Sequence, residues 1–298
     1  MNDYALSVFL GIVEGLTEFL PVSSTAHLRL AEALLHIDLA DGYWKMYTIV
    51  IQLGAVLCLP LYFGPRIAAF LSTYPRGDRE DQGPLTHPLA LVALAFIVTA
   101  VPSYLFTKLI GKNLENLVVM GASLLVGGVV MWIVDGVNAS AERLGEQAAA
   151  GRIRTWRMEA MTVVQALWIG ACQVLSAVFP GTSRSMSTIT AGQIAGISRA
   201  AALEFSFFLS LPTMAAATGY DLLKSLRGAG PNPIGVSQID AHGWIVLAIG
   251  FVMSFIVALA SVAWFMAYVR RRGFAPFAIY RIVIGTLVLT FASRLATL

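Results

Sequence analysis

The sequence predicts an all-α polytopic membrane protein with six transmembrane helices and two re-entrant broken-helix hairpins, arranged as an inverted-topology repeat. Three observations predict it. The 298 residues are 57% hydrophobic and only 12% charged, with a mean hydropathy of +0.75; a soluble domain carries about 25% charged residues. Six segments hold the roughly 20 apolar residues that a span requires: 43–63, 88–107, 116–135, 203–223, 242–268 and 276–295. Two further apolar regions, 4–36 and 161–199, each break at a proline followed by small polar residues, Pro21 and Pro180. Their half-helices of about 12–18 residues suit segments that re-enter the side they came from better than full spans. A bundle of spans uses the chain as one unit, so 1–298 is read as a single domain. Its repeat halves are 1–135 and 161–298, joined by a cytoplasmic loop, 136–160.

The elements follow in order. The first broken region, 4–36, precedes span 43–63, and the loop 64–87 is rich in Pro, Gly and charge. Spans 88–107 and 116–135 lead to loop 136–160, where a short surface helix is expected. The second broken region precedes the last three spans, and Arg270, Arg271 and Arg272 close the loop between the final two. With both broken regions re-entrant, loops 64–87, 136–160 and 269–275 share one side. They carry ten positive charges: Arg66, Arg76, Arg79, Arg143, Arg152, Arg154, Arg157 and the Arg270–Arg272 run. The opposite side holds Lys108, Lys112, Lys224 and Arg227, with Lys45 near a span start. The positive-inside rule makes the first side cytoplasmic and places both termini outside. No cleavable signal peptide is expected, because the first basic residue is Arg29. Cys58 and Cys172 lie in apolar runs and read as small core residues. No basic tail or basic-aromatic patch points to nucleic acid.

The broken regions resemble each other. GIVEGLTEFLPVSS (11–24) aligns with GACQVLSAVFPGTS (170–183), pairing Gly11 with Gly170, Leu16 with Leu175, Pro21 with Pro180 and Ser24 with Ser183. Glu14 pairs with Gln173. Three crossings follow each break, so the second half inserts upside down, and the two breaks of such a repeat meet near the midplane.

Glu14 and Glu18 are four apart and point from one helix face. Carboxylates inside a membrane are costly and mark function. With nothing positive beside them they require a proton, a metal or an arginine, and oxygen donors suit Mg²⁺ or Ca²⁺. After Pro21, one of Ser23, Ser24 and Thr25 caps a second half-helix, leaving its amides for an anion. Ser24 and His27 share a face. In the second knot, PGTSRSMSTIT (180–190), Gly181 lets a ligand approach the backbone. Thr182 and Ser183 open a half-helix, and Arg184 is a fixed cation at its start, unfavourable there unless an anion binds. Arg184 and Thr188 share a face. A guanidinium fork with hydroxyls and amides suits a phosphate. The simpler readings are water-facing carboxylates, a core histidine and a snorkelling arginine. Taken together, the two knots favour phosphoryl chemistry at a buried site. The nucleophile is left open between Ser24, His27 and a water.

EGLTEFLPVSSTAH (14–27) and PGTSRSMSTI (180–189) resemble the two signatures of undecaprenyl-pyrophosphate phosphatases of the bacitracin-resistance type, and EFSFFLSLPTMAAA (204–217) resembles their later half. The resemblance implies hydrolysis of a polyprenyl pyrophosphate lipid to the monophosphate carrier used in wall synthesis. It also implies an inner-membrane location, a site open to the outer face and dependence on a divalent cation. Carried over, Glu14 and Glu18 are the acidic, metal-binding pair. Glu18, Ser24, His27 and Arg184 are catalytic, and Thr25, Ser183, Arg184 and Thr188 hold phosphate. Ala26 and Met186 replace frequent glycines; Met186 is expected to add bulk beside Arg184. The sequence leaves the oligomeric state open, a homodimer included. The rival class is a transporter that flips the lipid carrier, with Glu14, Glu18 and His27 as a proton relay. A second lipid-phosphatase family requires a KxxxxxxRP signature with a distal histidine. It does not fit, since the next histidine after Arg184 is His242.

Overall fold

A computed structural model describes residues 2–37, 42–76, 83–105, 116–144, 152–227 and 239–295. Among these residues the protein is helical throughout and forms no strands; one isolated parallel bridge joins Thr155 to Ile197. Helices α1 (Asp3–Thr17) and α2 (Ser24–Leu34) form the first hairpin. Then come α3 (Gly42–Val56), α4 (Cys58–Tyr62), α5 (Gly64–Thr73), α6 (Pro88–Leu105) and α7 (Leu117–Leu144). The second hairpin is α8 (Val163–Val178) and α9 (Arg184–Ile194), followed by α10 (Arg199–Leu226), α11 (Ala241–Arg272) and α12 (Ala275–Leu295).

Among the described residues, five segments are long and apolar enough to cross a membrane: Gly42–Tyr62, Pro88–Leu105, Leu117–Arg143, Arg199–Lys224 and Ala241–Arg272. The sixth expected span, 276–295, is α12, whose apolar part, Ala275–Phe291, is shorter. At about 1.5 Å per residue, α1 and α8 reach only about 22–24 Å and α2 and α9 about 16 Å, short of the roughly 30 Å hydrocarbon core. Two expected loops begin as helix: α5 occupies the start of 64–87, and α7 runs nine residues into 136–160. Lys108, Lys112 and Arg79 lie outside the described residues.

The two halves interlock as the repeat requires. Helix α1 packs along α11, and α8 packs along α6. A Cβ on Gly11 would lie 2.8 Å from the Gly250 carbonyl oxygen, and one on Gly170 would lie 2.5 Å from that of Ala95. The aligned glycines thus make the same close approach in opposite halves. Helices α7 and α12 run against each other. Between the halves lies an aromatic core. Phe19 meets Phe207 edge-on at 5.5 Å, and Phe63, Phe208, Phe265 and Phe277 continue the stack.

The pole bearing the arginine-rich loops is tied by polar contacts. Buried Asp135 on α7 accepts from Gln193 (3.1 Å), Arg199 Nε (2.7 Å) and the Phe274 amide (3.1 Å), joining α9, α10 and the α11–α12 turn. Arg66 bridges Glu159 and Glu204 at 2.5 and 2.8 Å, tying α5 to the second half. A capping box of Thr162 and Gln165 starts α8, so the second hairpin leaves this pole at a fixed angle.

Candidate active site

Each hairpin turns on a serine in the left-handed region. Ser23 has φ 73° and Ser183 φ 69°. Each caps its returning helix, Ser23 accepting from the Ala26 amide (3.4 Å) and Ser183 from the Met186 amide (3.3 Å). Non-glycine residues held at such angles cost about 1–3 kcal/mol and cluster at functional sites. The geometry corrects the gapless alignment: Ser183 is the counterpart of Ser23, not of Ser24, because one residue more separates the proline from the capping serine in the second turn. That turn needs Gly181, at φ 90°, where a Cβ would meet the Met120 carbonyl oxygen at 2.4 Å.

The two turns are sewn together. Ser185 Oγ donates to the Leu20 carbonyl at 3.0 Å. Arg281, on α12 and fully buried, donates to the carbonyls of Pro21 (3.1 Å), Gly181 (3.0 Å) and Ser123 (3.1 Å). Peptide groups freed by both breaks are therefore satisfied by one guanidinium, as buried backbone requires.

Four of the predicted residues, Glu18, Ser24, Arg184 and Thr188, meet at this junction. Ser24 Oγ donates to Glu18 Oε2 at 2.6 Å. Arg184 Nη2 approaches Glu18 Oε1 at 3.5 Å, and Nη1 donates to the Ser206 carbonyl at 3.2 Å. Thr188 Oγ1 lies 2.7 Å from Ser206 Oγ, one turn along the same face of α9 as Arg184. Glu14 is 1% exposed, and neither of its carboxylate oxygens has a hydrogen-bond partner. Thr25 lies in the first turn of α2, partly exposed, outside these hydrogen bonds.

His27 stands apart from the chain formed by Ser24, Glu18 and Arg184. Its Nδ1 is 2.7 Å from the Ser23 carbonyl and its Nε2 2.7 Å from the Tyr280 hydroxyl, with the two rings stacked. A carbonyl only accepts, so Nδ1 carries the proton, and in the neutral ring Nε2 presents its lone pair to Tyr280. Met186 corrects another expectation. Instead of crowding Arg184 it points toward α7, where a Cβ on Gly127 would meet its Cε at 2.6 Å.

Sequence reasoning missed Arg281, Tyr280, Ser185 and Ser206. Arg281 had a signal, an arginine inside an apolar segment. Ser206 had none in isolation, because its role is to face Thr188 from another helix.

A cation fits the acidic pair by donor chemistry. Glu14 is buried with both oxygens unpaired, which an ionised carboxylate does not tolerate without a counter-charge. No group of three or more His, Cys, Asp or Glu capable of holding a metal occurs among the described residues. Mg²⁺ is commonly held by one or two carboxylates plus substrate phosphates, so the pair suffices only with substrate present.

The family model of the bacitracin resistance protein BacA matches residues 7–287. An undecaprenyl-diphosphatase of Koribacter versatilis is 61% identical over 296 residues, covering 99% of this chain and 100% of that protein. Those of Thermus thermophilus and Sorangium cellulosum are 39% and 46% identical, covering 97% and 95% of this chain and 97% and 84% of their own lengths.

Proposed function

We infer that this chain, which belongs to the bacitracin resistance protein BacA family, hydrolyses undecaprenyl pyrophosphate to undecaprenyl phosphate and inorganic phosphate. That activity returns the lipid carrier to wall synthesis and supports bacitracin resistance. The observation that carries the reading is the meeting of the two breaks. A hydroxyl hydrogen-bonded to a carboxylate on one hairpin faces an arginine and capped amides on the other.

The diphosphate sits between the N-termini of α2 and α9, held by Arg184, Ser183, Thr188, Thr25 and the helix amides. The Arg184–Glu18 contact is loose at 3.5 Å. An incoming phosphate therefore draws the guanidinium away and leaves Glu18 free to act as a base. Glu18 Oε2 takes the Ser24 proton as Oγ attacks the terminal phosphorus. The bond from that phosphorus to the bridging oxygen breaks, and undecaprenyl phosphate leaves with its electron pair. Water then attacks the phosphoserine; His27 Nε2 exchanges Tyr280 for that water and takes its proton, the phosphorus–Oγ bond breaks as Glu18 returns its proton to Ser24 Oγ, and His27 gives its proton to solvent as phosphate departs. Glu14 and Glu18 are the residues that would hold Mg²⁺ or Ca²⁺. When bound, such an ion neutralises charge on the diphosphate.

The finer topology follows from the charge distribution: six spans, two re-entrant hairpins, both termini outside and a site open to the outer face of the inner membrane. What supports it is that Arg143, Arg152, Arg154, Arg157 and Arg270–Arg272 all fall in loops that this topology puts on the inner side. The test is phosphate release from undecaprenyl pyrophosphate by the purified protein in detergent, with Mg²⁺, Ca²⁺ or EDTA. Metal-dependent release is expected; a folded protein silent under every condition would sink the reading.

A further inference from the structure

Between α7, α8 and α9 lies a cavity of about 530 Å³, within the roughly 300–1,000 Å³ usual for ligand pockets. Its walls include Val119 and Val126 on α7, and Leu175 and Phe179 on α8. Its floor is α9. One end reaches Thr182 and Met186, beside the capped turn that holds Arg184; the other reaches Ile194. That is about 16 Å of helix at 1.5 Å per residue. Val126, Leu175, Phe179 and Ile194 are exposed, so the groove opens along its length to the surface of the bundle.

The floor contains Ser187 and Thr190, yet the oxygens of both side chains are buried and turned away from any partner. The surface presented to an occupant is therefore hydrocarbon, even where the sequence supplies hydroxyls. Gly127 keeps the head of the groove narrow but open, since a side chain there would strike Met186 and Arg281. An acyl lipid bound through its ester groups would need accessible donors, and these walls offer none. An unsubstituted hydrocarbon chain needs none.

Resting on the phosphatase reading, we propose that this groove is the subsite for the pyrophosphate-proximal isoprene units of the substrate. The continuity carries the assignment. A diphosphate at the N-terminus of α9 must pass its chain into hydrocarbon, and the groove begins at that turn. The first isoprene unit then stays at the head of the groove by Thr182 and Met186, the units after it lie against Val126, Cys172 and Leu175, and the rest of the chain leaves past Ile194 into the bilayer. Part of the binding energy comes from apolar contact remote from the phosphorus, so chain length governs KM more than kcat.

The test uses dimethylallyl, farnesyl and undecaprenyl pyrophosphate with the wild type, Ala122→Trp and Cys172→Trp, which fill the groove from two different helices. The expected result is a rise in KM of about tenfold or more for the farnesyl and undecaprenyl substrates, with dimethylallyl turnover within about twofold of wild type, the pattern of lost uniform binding. A farnesyl pyrophosphate analogue bearing a terminal benzophenone should cross-link to 119–130, 172–179 or 182–194 of the wild type, a readout independent of either variant. Equal losses on all three substrates, no loss on any, or cross-links confined to α3 or α11 would each overturn the groove. Wild-type silence on all three substrates would instead overturn the phosphatase reading.

Discussion

The 2.6 Å bond from Ser24 to Glu18 separates the roles of two residues that the sequence could only group. Ser24 and His27 share a helix face by spacing, which suggested a hydroxyl with its base. In the fold the hydroxyl belongs to Glu18, and the imidazole is held by Ser23 and Tyr280. Ser24→Ala is therefore expected to lower kcat by about 10³-fold or more, as loss of a nucleophile does. Acid quenching of wild type with terminally ³²P-labelled substrate should retain label that the variant does not. Retention of full activity by Ser24→Ala would remove the covalent route. Arg184→Lys keeps the charge but loses the planar fork, and should cost about 10- to 100-fold in kcat/KM. Arg281→Met strands two buried carbonyls, of Pro21 and Gly181, at about 1–3 kcal/mol each, and frees the part-buried one of Ser123. A thermal melt in detergent should show a lower Tm together with lost activity. An unchanged Tm would mean that Arg281 does not hold the two turns.

Among the elements, the broken hairpins were legible because proline followed by hydroxyls interrupts an otherwise apolar run in each. Their helices begin and end within a few residues of the expected limits. The helical start of loop 136–160 was not legible. Its composition is polar, and α7 continues there because Asp135 and Glu142 find Arg199 and the Phe274 amide, partners distant in sequence. The exact pairing of the two turns was also hidden, since one residue inserted after the second proline shifts the register and still leaves a serine opposite a serine. Helix contacts yield a prediction of their own. Gly11→Ala and Gly170→Ala each press a Cβ against a backbone carbonyl, at 2.8 and 2.5 Å. Overpacking of this kind costs about 1–3 kcal/mol. Each should lower Tm measurably, and because the two interfaces are separate the double variant should show the sum. A double variant no worse than either single would mean the two interfaces are not independent.

Across the whole molecule, the meeting of two broken hairpins accounts for the glutamates, arginines and histidine inside a chain this apolar. Neither hairpin is a site alone. The first supplies the carboxylates, Ser24 and His27; the second supplies Arg184, Thr188 and the capped amides of α9. That the two breaks are related was legible from their matching sequences. The joining residues were not, because Arg281 and Ser206 act from helices that carry no motif. The most direct test of the meeting is a double-mutant cycle on phosphate release, comparing Glu18→Gln, Arg184→Ala and the double variant in kcat/KM. Groups acting as one unit are strongly non-additive. The account predicts a double variant within about tenfold of the worse single variant. Losses that multiply in full would contradict it, placing the two hairpins in separate sites.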